Sequence, residues 1–265
     1  MNTKKIVKLS AKDLFLQQIL MRVRPAFLAA GLKKVLGICR KAVEVKEGIF
    51  WIDPVSQFAV NLVTEHGYEP EMGETLRKYL RPGGTFVDIG ANEGFFTVQA
   101  AKIVGPSGRV LAVEPQGRLQ QVIQKNLELN GLTNVTLARS AVSDRPGEAE
   151  LHISPSTNTG STGLSQSTRY RVPHESVPVN TLEAILARSG VQTVDLIKMD
   201  IEGFEYEALI GAEKLLKEKR IKALALEMHP ELMRGRGKEP DKIEEMLEGC
   251  GYRKDQEAKT NVWIA

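Results

Sequence analysis

A short apolar segment is followed by residues that suit the binding of a small ligand. Asp88, Gly90, Asn92 and Gly94 follow the segment Thr85–Ile89 and open an apolar helical pattern. The glycines let the backbone turn sharply and approach a ligand closely, and the start of a helix offers unpaired N–H groups. The spacing Asp-x-Gly-x-x-x-Gly differs from the Gly-x-Gly-x-x-Gly pattern of dinucleotide-binding folds. An acidic residue at this loop disfavours a pyrophosphate and favours a ligand with an ammonium group.

A second acidic residue, Glu114, ends the next apolar segment, Val110–Val113. A carboxylate at this position of a doubly wound sheet accepts hydrogen bonds from the two hydroxyls of a ribose. Together with Asp88 it predicts an adenosine ligand with an amino-acid tail, namely S-adenosylmethionine. Asp144 follows the third segment, where a group that accepts from the adenine amino group is expected, although a turn before Arg145-Pro146-Gly147 requires no such role.

Four polar side chains end two later segments and form the predicted catalytic set. Asp200 and Glu202 follow residues 195–199, and Glu227 and His229 lie at the end of the segment that begins at residue 223. Because ligands bind at the carboxyl edge of such a sheet, these four residues are expected to meet there. Methyl transfer to oxygen needs the acceptor held in line and its proton removed. His229 titrates in a range that suits a base, and Asp200 could act as the base or orient the hydroxyl.

The same residues permit other interpretations. Asp200 could cap the following helix, and His229 could be a hydrogen-bonded loop residue. Asp200, Glu227 and His229 offer oxygen and nitrogen donors to a hard divalent metal. Nothing in their spacing requires a metal, and the predicted site includes none.

The elements that position these residues alternate in type from Thr85 onward. Short apolar segments separated by amphipathic helical patterns predict a Rossmann-like α/β fold with a mostly parallel, seven-stranded, doubly wound sheet. The predicted strands are 48–52, 58–63, 85–89, 110–113, 135–138, 195–199, 223–228 and an edge strand at 262–264. The predicted helices are 71–80, 94–103, 119–130, 181–189, 204–216 and one that contains 242–247. A polar loop at 154–168 is expected to be a lid or disordered.

Three motifs together resemble a known family. The segments are Val87-Asp88-Ile89-Gly90-Ala91-Asn92-Glu93-Gly94, Val113-Glu114-Pro115 and Ile197-Lys198-Met199-Asp200-Ile201-Glu202-Gly203-Phe204-Glu205. They are similar to the FkbM family of S-adenosylmethionine-dependent methyltransferases over about residues 65–230, with Gly67-Tyr68-Glu69 and Glu227-Met228-His229 at the flanks. The resemblance implies a class I methyltransferase fold and O-methylation of hydroxyls on sugars, polyketides or related metabolites.

Charge divides the chain of 265 residues into two parts. Residues 1–46 hold 11 Lys/Arg and 2 Asp/Glu, whereas the remainder is acidic. The apolar residues between Leu14 and Ile38 recur at helical spacing and predict a basic amphipathic helical extension of two short helices, followed by a methyltransferase domain over 47–265. This extension is expected either to pack on the domain or to contact an anionic membrane surface weakly.

Several function classes are disfavoured. The basic segment 1–46 is followed by an acidic remainder, and the aromatic residues are scattered and make up only 6% of the chain. This composition does not suit nucleic-acid binding. Two cysteines indicate a reduced compartment, so a cytoplasmic protein is expected, peripheral on the inner membrane face if the extension binds lipid. The predicted function is transfer of a methyl group from S-adenosylmethionine to a hydroxyl of a small metabolite, sugar or lipid-linked glycan. The alternatives are a non-catalytic binding protein for the same cofactor, a membrane-surface adaptor and a nicotinamide-dependent oxidoreductase.

Overall fold

This computed structural model describes residues 9–20, 22–23, 26–63, 67–153 and 174–265. The helices, in chain order, are α1 (Ala11–Leu20), α2 (Ala26–Val35), α3 (Gln57–Val63), α4 (Pro70–Tyr79), α5 (Phe95–Val104), α6 (Gly117–Asn130), α7 (Leu182–Arg188), α8 (Glu205–Ile210), α9 (Glu213–Lys217), α10 (Pro230–Gly235) and α11 (Asp241–Gly249). Among the residues described, none of these helices is both long and apolar enough to cross a bilayer.

The strands form three sheets. In chain order they are β1 (Lys41–Val45), β2 (Gly48–Ile52), β3 (Thr85–Ile89), β4 (Arg109–Val113), β5 (Val135–Ala138), β6 (Ala141–Val142), β7 (Gly147–His152), β8 (His174–Asn180), β9 (Leu196–Met199), β10 (Ala223–Leu226), β11 (Arg253–Lys254) and β12 (Val262–Ile264). The central sheet has seven strands in the order β11-β12-β10-β9-β3-β4-β5. Strands β10, β9, β3, β4 and β5 are parallel, whereas β12 is antiparallel to β10 and β11 is antiparallel to β12. The predicted doubly wound α/β sheet is therefore confirmed.

The chain reverses its direction of winding at β3, which lies between β4 and β9. In register, Asp88 of β3 pairs with Ala112 of β4 and with Lys198 of β9. A crevice at the carboxyl ends of such strands is where open α/β sheets bind ligands. The register therefore brings the ends of β3, β4 and β9 to one place.

Both faces of the sheet are buried, as expected for parallel strands covered by helices. Val87 and Ile89 point into a core that is closed by α7, α8, α9 and α11. Phe86 and Ala112 point to the opposite face, which is closed by α4, α5 and the β1–β2 hairpin. Alternation along each strand therefore supplies two apolar layers and leaves polar side chains for the strand ends.

The two predicted N-terminal helices are present as α1 and α2. Leu20 and Ala29 pack with Val55 in a small apolar cluster, and a bidentate ion pair joins Arg40 to the buried Glu93. The β1–β2 hairpin pairs Lys41 with Ile52. The predicted boundary between residues 46 and 47 therefore falls in the hairpin turn, which places β1 beside the domain rather than with the helices.

Three predicted elements differ from the structure. Residues 58–63 lie in helix α3 and not in a strand, because Ser56 Oγ accepts from the Ala59 N–H and caps a helix there. The helix predicted over 204–216 is divided into α8 and α9 at Gly211, where a Cβ would lie 2.3 Å from the Ser143 carbonyl oxygen. Strand β12 is not at the sheet edge, because β11 pairs outside it.

A three-stranded sheet, called the second sheet below, was not predicted. It contains β6, β8 and β7 in that order, and β7 and β8 pair antiparallel from Gly147 opposite Val179 to His152 opposite His174. Leu151, Val177 and Ala141 supply its small apolar core. The loop predicted at 154–168 connects these strands and lies outside the described residues.

Candidate active site

A cleft opens at the switch point of the sheet. Its walls come from the turns after β3, β4 and β9 and from the start of the second sheet. The polar residues of the lining are Asn92, Glu114, Gln116, Ser140, Asp200 and Glu202. Apolar contacts come from Leu119, Val142, Leu151 and Phe204. A cleft with an apolar wall and a few convergent polar groups is the usual form of a small-molecule site.

The glycine loop shapes the floor of the cleft. Gly90 has a φ of 78°, and a Cβ on it would lie 1.8 Å from the backbone oxygen of Asp200. Only glycine permits this approach, because any side chain would clash with the neighbouring turn and prefer another conformation. Gly94, also in the left-handed region at 79°, faces Ile123 of α6 rather than the cleft. Gly94 therefore serves the packing of α5 on α6.

Glu114 is held rigidly at the end of β4. Its Oε2 accepts from the Asn92 N–H at 2.9 Å, and its Oε1 accepts from the Gln116 N–H at 3.0 Å. Burial raises the pKa of this carboxyl to about 7, although the two backbone hydrogen bonds oppose the rise. The carboxylate is therefore a preorganised hydrogen-bond acceptor. Its negative charge is destabilised by burial until a ligand donates a hydrogen bond to it.

Buried polar atoms without partners indicate that this loop fits a polar ligand. In the lining of the cleft, Asn92 Oδ1 and Gln116 Nε2 have no hydrogen-bond partner among the described residues, and the same holds for Asp88 Oδ1, which lies beneath the lining. Unsatisfied buried groups are rare and costly in native proteins, so a ligand that donates and accepts here would relieve them. The polar groups of Asn92, Glu114 and Gln116, which line the cleft together with Gly90, suit S-adenosylmethionine.

Asp88 lies beneath the loop and outside the lining of the cleft. It is 1% exposed, and its Oδ2 accepts from the Thr97 hydroxyl at 2.5 Å. Burial raises its pKa, while the charge of Lys198 opposes the rise. The prediction that Asp88 serves the ligand remains untested, and its position favours support of the loop from below.

Asp200 and the buried Lys198 form a pair at the end of β9. The Nζ of Lys198 lies 3.1 Å from Asp200 Oδ2. Lys198 is 6% exposed, yet its pKa is raised, because the attraction of Asp200, Asp88 and Glu69 outweighs the cost of burial. In the sequence Lys198 is only one residue of a motif, and nothing there signals that it is a buried counterion.

His229 is oriented by the buried carboxylate of Glu205, a residue that the sequence pattern does not mark as part of the site. Its Nδ1 lies 2.9 Å from Oε1 of Glu205, which has no exposed side-chain surface. This hydrogen bond raises the pKa of His229 to about 9, with burial opposing the rise. In the protein alone the imidazole is therefore protonated near neutral pH, which does not match the expectation of a histidine that titrates as a base there.

Glu202 and Glu227 complete the group at this edge. Burial raises the pKa of Glu202 to about 7, with the His229 charge opposing it. Partial desolvation and the Asp200 carboxylate raise the pKa of Glu227. Glu202 also has a φ of 54°, an uncommon backbone conformation that occurs often at functional sites. The structure thus brings together all four residues predicted as catalytic.

Asp144 is not brought to the site. Its side chain is exposed and borders a separate groove beside Arg145 and Arg236. The chain leaves the central sheet after β5, because β6 pairs with β8 in the second sheet. The expected contact with adenine is therefore not supported, and Ser140 and Val142 line the cleft in that region.

Tyr68 and Glu69 lie beside the catalytic group, and the contacts of the Tyr68 ring are mainly packing contacts with other aromatic rings. The Tyr68 ring lies 5.1 Å from Phe58 and 5.4 Å from Phe95, centroid to centroid. Burial and the hydrogen bond to Glu69 raise the pKa of Tyr68. Glu69 has a φ of 43°.

The sheet order, the glycine loop after β3 and the acidic residue after β4 define a class I S-adenosylmethionine-dependent methyltransferase. The chain belongs to the FkbM methyltransferase family, because the sequence model of the Methyltransferase FkbM domain matches residues 88–254. Its cofactor is S-adenosylmethionine. This membership is at odds with the nicotinamide-dependent oxidoreductase that the sequence left as an alternative.

Several characterised proteins are similar to parts of this chain. The 2-O-methyltransferase NoeI of Sinorhizobium fredii is 26% identical over 155 residues, which is 53% of this chain and 62% of NoeI. Methyltransferase sdnD of Sordaria araneosa is 26% identical over 157 residues, 48% of this chain and 60% of that protein. The crystal structure of methyltransferase FkbM from Methylobacillus flagellatus is 16% identical, with a TM-score of 0.46 over 96% of this chain and 59% of that one. The chain therefore spans less than two thirds of each of these proteins.

Proposed function

We propose that this protein transfers the methyl group of S-adenosylmethionine to a hydroxyl oxygen of a small metabolite, sugar or lipid-linked glycan. The observation that carries the proposal is the placement of Asp200 and Glu202 in the lining of the cofactor cleft, with Glu227 and His229 beside them. A relative that is 26% identical is a 2-O-methyltransferase, which supports oxygen as the methylated atom.

The proposed division of residues follows the two walls of the cleft. Gly90 and Asn92, supported by Asp88, would hold the amino-acid part of the cofactor, and Glu114 would accept from the ribose hydroxyls. The bound cofactor supplies an activated methyl group. The turn after β9, which also lines the cleft, and the end of β10 beside it would hold the acceptor.

Proton removal falls to the carboxylates that line the cleft. Asp200 Oδ2 is already engaged by Lys198 at 3.1 Å, whereas no donor among the described residues is hydrogen-bonded to Glu202, whose Oε2 lies 3.8 Å from His229 Nε2. We therefore assign the transfer of the hydroxyl proton to Glu202 and the orientation of the acceptor oxygen to Asp200. His229, bonded to Glu205 through Nδ1, would position these two carboxylates.

The proposal is tested with methyl-labelled S-adenosylmethionine and a panel of free sugars, glycolipids and hydroxylated metabolites. A product heavier by one methylene, with the new methyl on oxygen by NMR, is the expected result. Glu202→Gln should lose at least about 100-fold in kcat while keeping its affinity for S-adenosylhomocysteine, and Glu239→Gln at an exposed position outside the lining of the cleft should match the wild type. Methylation on nitrogen or carbon would contradict the proposal, and cofactor binding without turnover on any acceptor would favour the adaptor.

A further inference from the structure

Three side chains that can act as metal ligands meet at the ends of two adjacent strands. Asp200 follows β9 directly, and Glu227 and His229 follow β10. The Asp200 N–H donates to Ile89 and the Glu227 N–H donates to Met199, so the parallel ladder continues beyond the strands and fixes their relative positions. One ligand atom from each side chain lies within 4.8 Å of the others.

Within the described ranges, the contacts of His229 leave one ring nitrogen without a hydrogen bond. Its Nδ1 is bonded to Glu205, whereas its Nε2 lies 3.8 Å from Asp200 Oδ1 and 3.8 Å from Glu202 Oε2. These two separations are too long for hydrogen bonds. They are close to the separation of roughly 3–4 Å that two ligands have when each lies about 2.1 Å from one cation.

The charge around these atoms is unbalanced. Glu205 is fully buried, and its Oε2 has no hydrogen-bond partner in the part of the chain that the structure describes. Lys198 offers a cation to this group, but it approaches Asp200 through Oδ2, the oxygen that does not face His229. Buried carboxylates with an unpaired oxygen are costly unless a positive charge lies near. A carboxylate bonded to the second nitrogen of a histidine is also the usual support of a metal-bound imidazole.

We propose that a hard divalent cation, Mg²⁺ or Mn²⁺, binds to Asp200 Oδ1, a Glu227 carboxylate oxygen and His229 Nε2, with water or the acceptor oxygen completing the shell. Binding of the ion is independent of the proposed function, whereas its use in catalysis rests on that function. A hydroxyl bound to the ion loses its proton more readily, and Glu202, which is not among the three ligands, can receive that proton.

Direct metal binding tests the site without reference to activity. The full chain, stripped with a chelator and saturated with S-adenosylhomocysteine, is titrated with Mn²⁺ while free ion is followed by electron paramagnetic resonance. One ion per chain is expected, and Mg²⁺ should displace it. Glu227→Gln and His229→Ala should each weaken Mn²⁺ binding by at least 10-fold, while Glu248→Gln on the surface of α11 should bind as the wild type does. Calorimetry with S-adenosylhomocysteine checks that each variant keeps its fold.

The outcomes separate this inference from the proposed function. Absence of Mn²⁺ binding at millimolar concentration, or equal binding in Glu227→Gln and Glu248→Gln, overturns the metal site even if methyl transfer to a hydroxyl is observed. Binding with the expected variant pattern supports the site even if no hydroxyl acceptor is methylated. Where an acceptor is known, loss of turnover in chelator and its return with Mg²⁺ supports the catalytic use, and full turnover without metal excludes it.

Discussion

Glu114 shows how backbone geometry prepares a single side chain for a ligand. Both of its oxygens accept from backbone N–H groups, and the carboxyl is 5% exposed. The remaining lone pairs are therefore fixed in direction before any ligand arrives, which lowers the entropy cost of binding. Asn92, whose N–H is one of the two donors, gains this position from a left-handed φ of 51°.

Replacement of Glu114 by alanine should weaken the binding of S-adenosylhomocysteine by about 1–3 kcal/mol, because charge-assisted hydrogen bonds to the ribose are lost. Isothermal titration calorimetry measures the change. Glu239→Ala, a matched change at an exposed position, should leave the affinity unaltered. Equal affinity in Glu114→Ala and the wild type would remove this residue from the site.

Cofactor affinity should also depend on pH through Glu114. Its pKa is raised to about 7, so near pH 6 most molecules carry a neutral carboxyl, which must ionise to accept fully from the ribose. The affinity for the cofactor should therefore fall as pH falls through 7, by roughly tenfold between about pH 8 and pH 6. Calorimetry across this range should show the trend in the wild type and a much flatter curve in Glu114→Gln. A wild-type affinity that rises on acidification would contradict the assigned role.

At the scale of elements, the turns at the strand ends place the two halves of the site in contact. The loop after β3 lies against the turn after β9, since Gly90 approaches the Asp200 carbonyl more closely than any side chain allows. The cofactor loop and the acceptor residues are thus part of one packed unit.

Gly90→Ala should destabilise the protein by more than about 3 kcal/mol, because the new methyl adds a backbone clash to the cost of a left-handed alanine. Gly131 provides the control: its φ is 64°, yet a Cβ there meets nothing within 4 Å. Gly131→Ala should cost only about 1 kcal/mol. Urea denaturation compares the two, and similar losses would show that the close approach at Gly90 is not tight in solution.

The central strands and the ends that carry the site were predictable because each follows a local rule. Short apolar segments ended by Asp88, Glu114 and Asp200 carry their own signal for a strand and for its carboxyl end. The second sheet has no such signal, because β7 is largely polar and gains its order from pairing with β8. Glu205 was missed for a related reason: only the fold reveals that this helical glutamate is buried against His229.

At the scale of the whole molecule, the large apolar side chains that remain exposed are concentrated near the N-terminal end of the chain. In the part of the chain that the structure describes, they lie mostly on α1, α2 and the residues just after them, and Val35 and Phe15 are 84% and 63% exposed. Leu20 and Ala29 pack around Val55, so the two helices dock on the domain while other apolar side chains of the same helices stay exposed. Exposed apolar patches of this kind mark interaction surfaces.

Residues 1–46 carry a large excess of Lys and Arg, so we expect these exposed apolar side chains to bind at an anionic lipid surface. The wild-type protein should co-sediment with vesicles that contain phosphatidylglycerol, less at high salt, and not with purely neutral vesicles. The double variant Phe15→Ser/Val35→Ser should bind at least tenfold more weakly, because burial of each apolar side chain contributes about 1.5–3 kcal/mol. Ile210→Ser, which removes an exposed apolar side chain on α8, should bind like the wild type. If binding is absent, or is equal in the double variant and the wild type, the exposed apolar side chains of α1 and α2 do not mediate lipid binding.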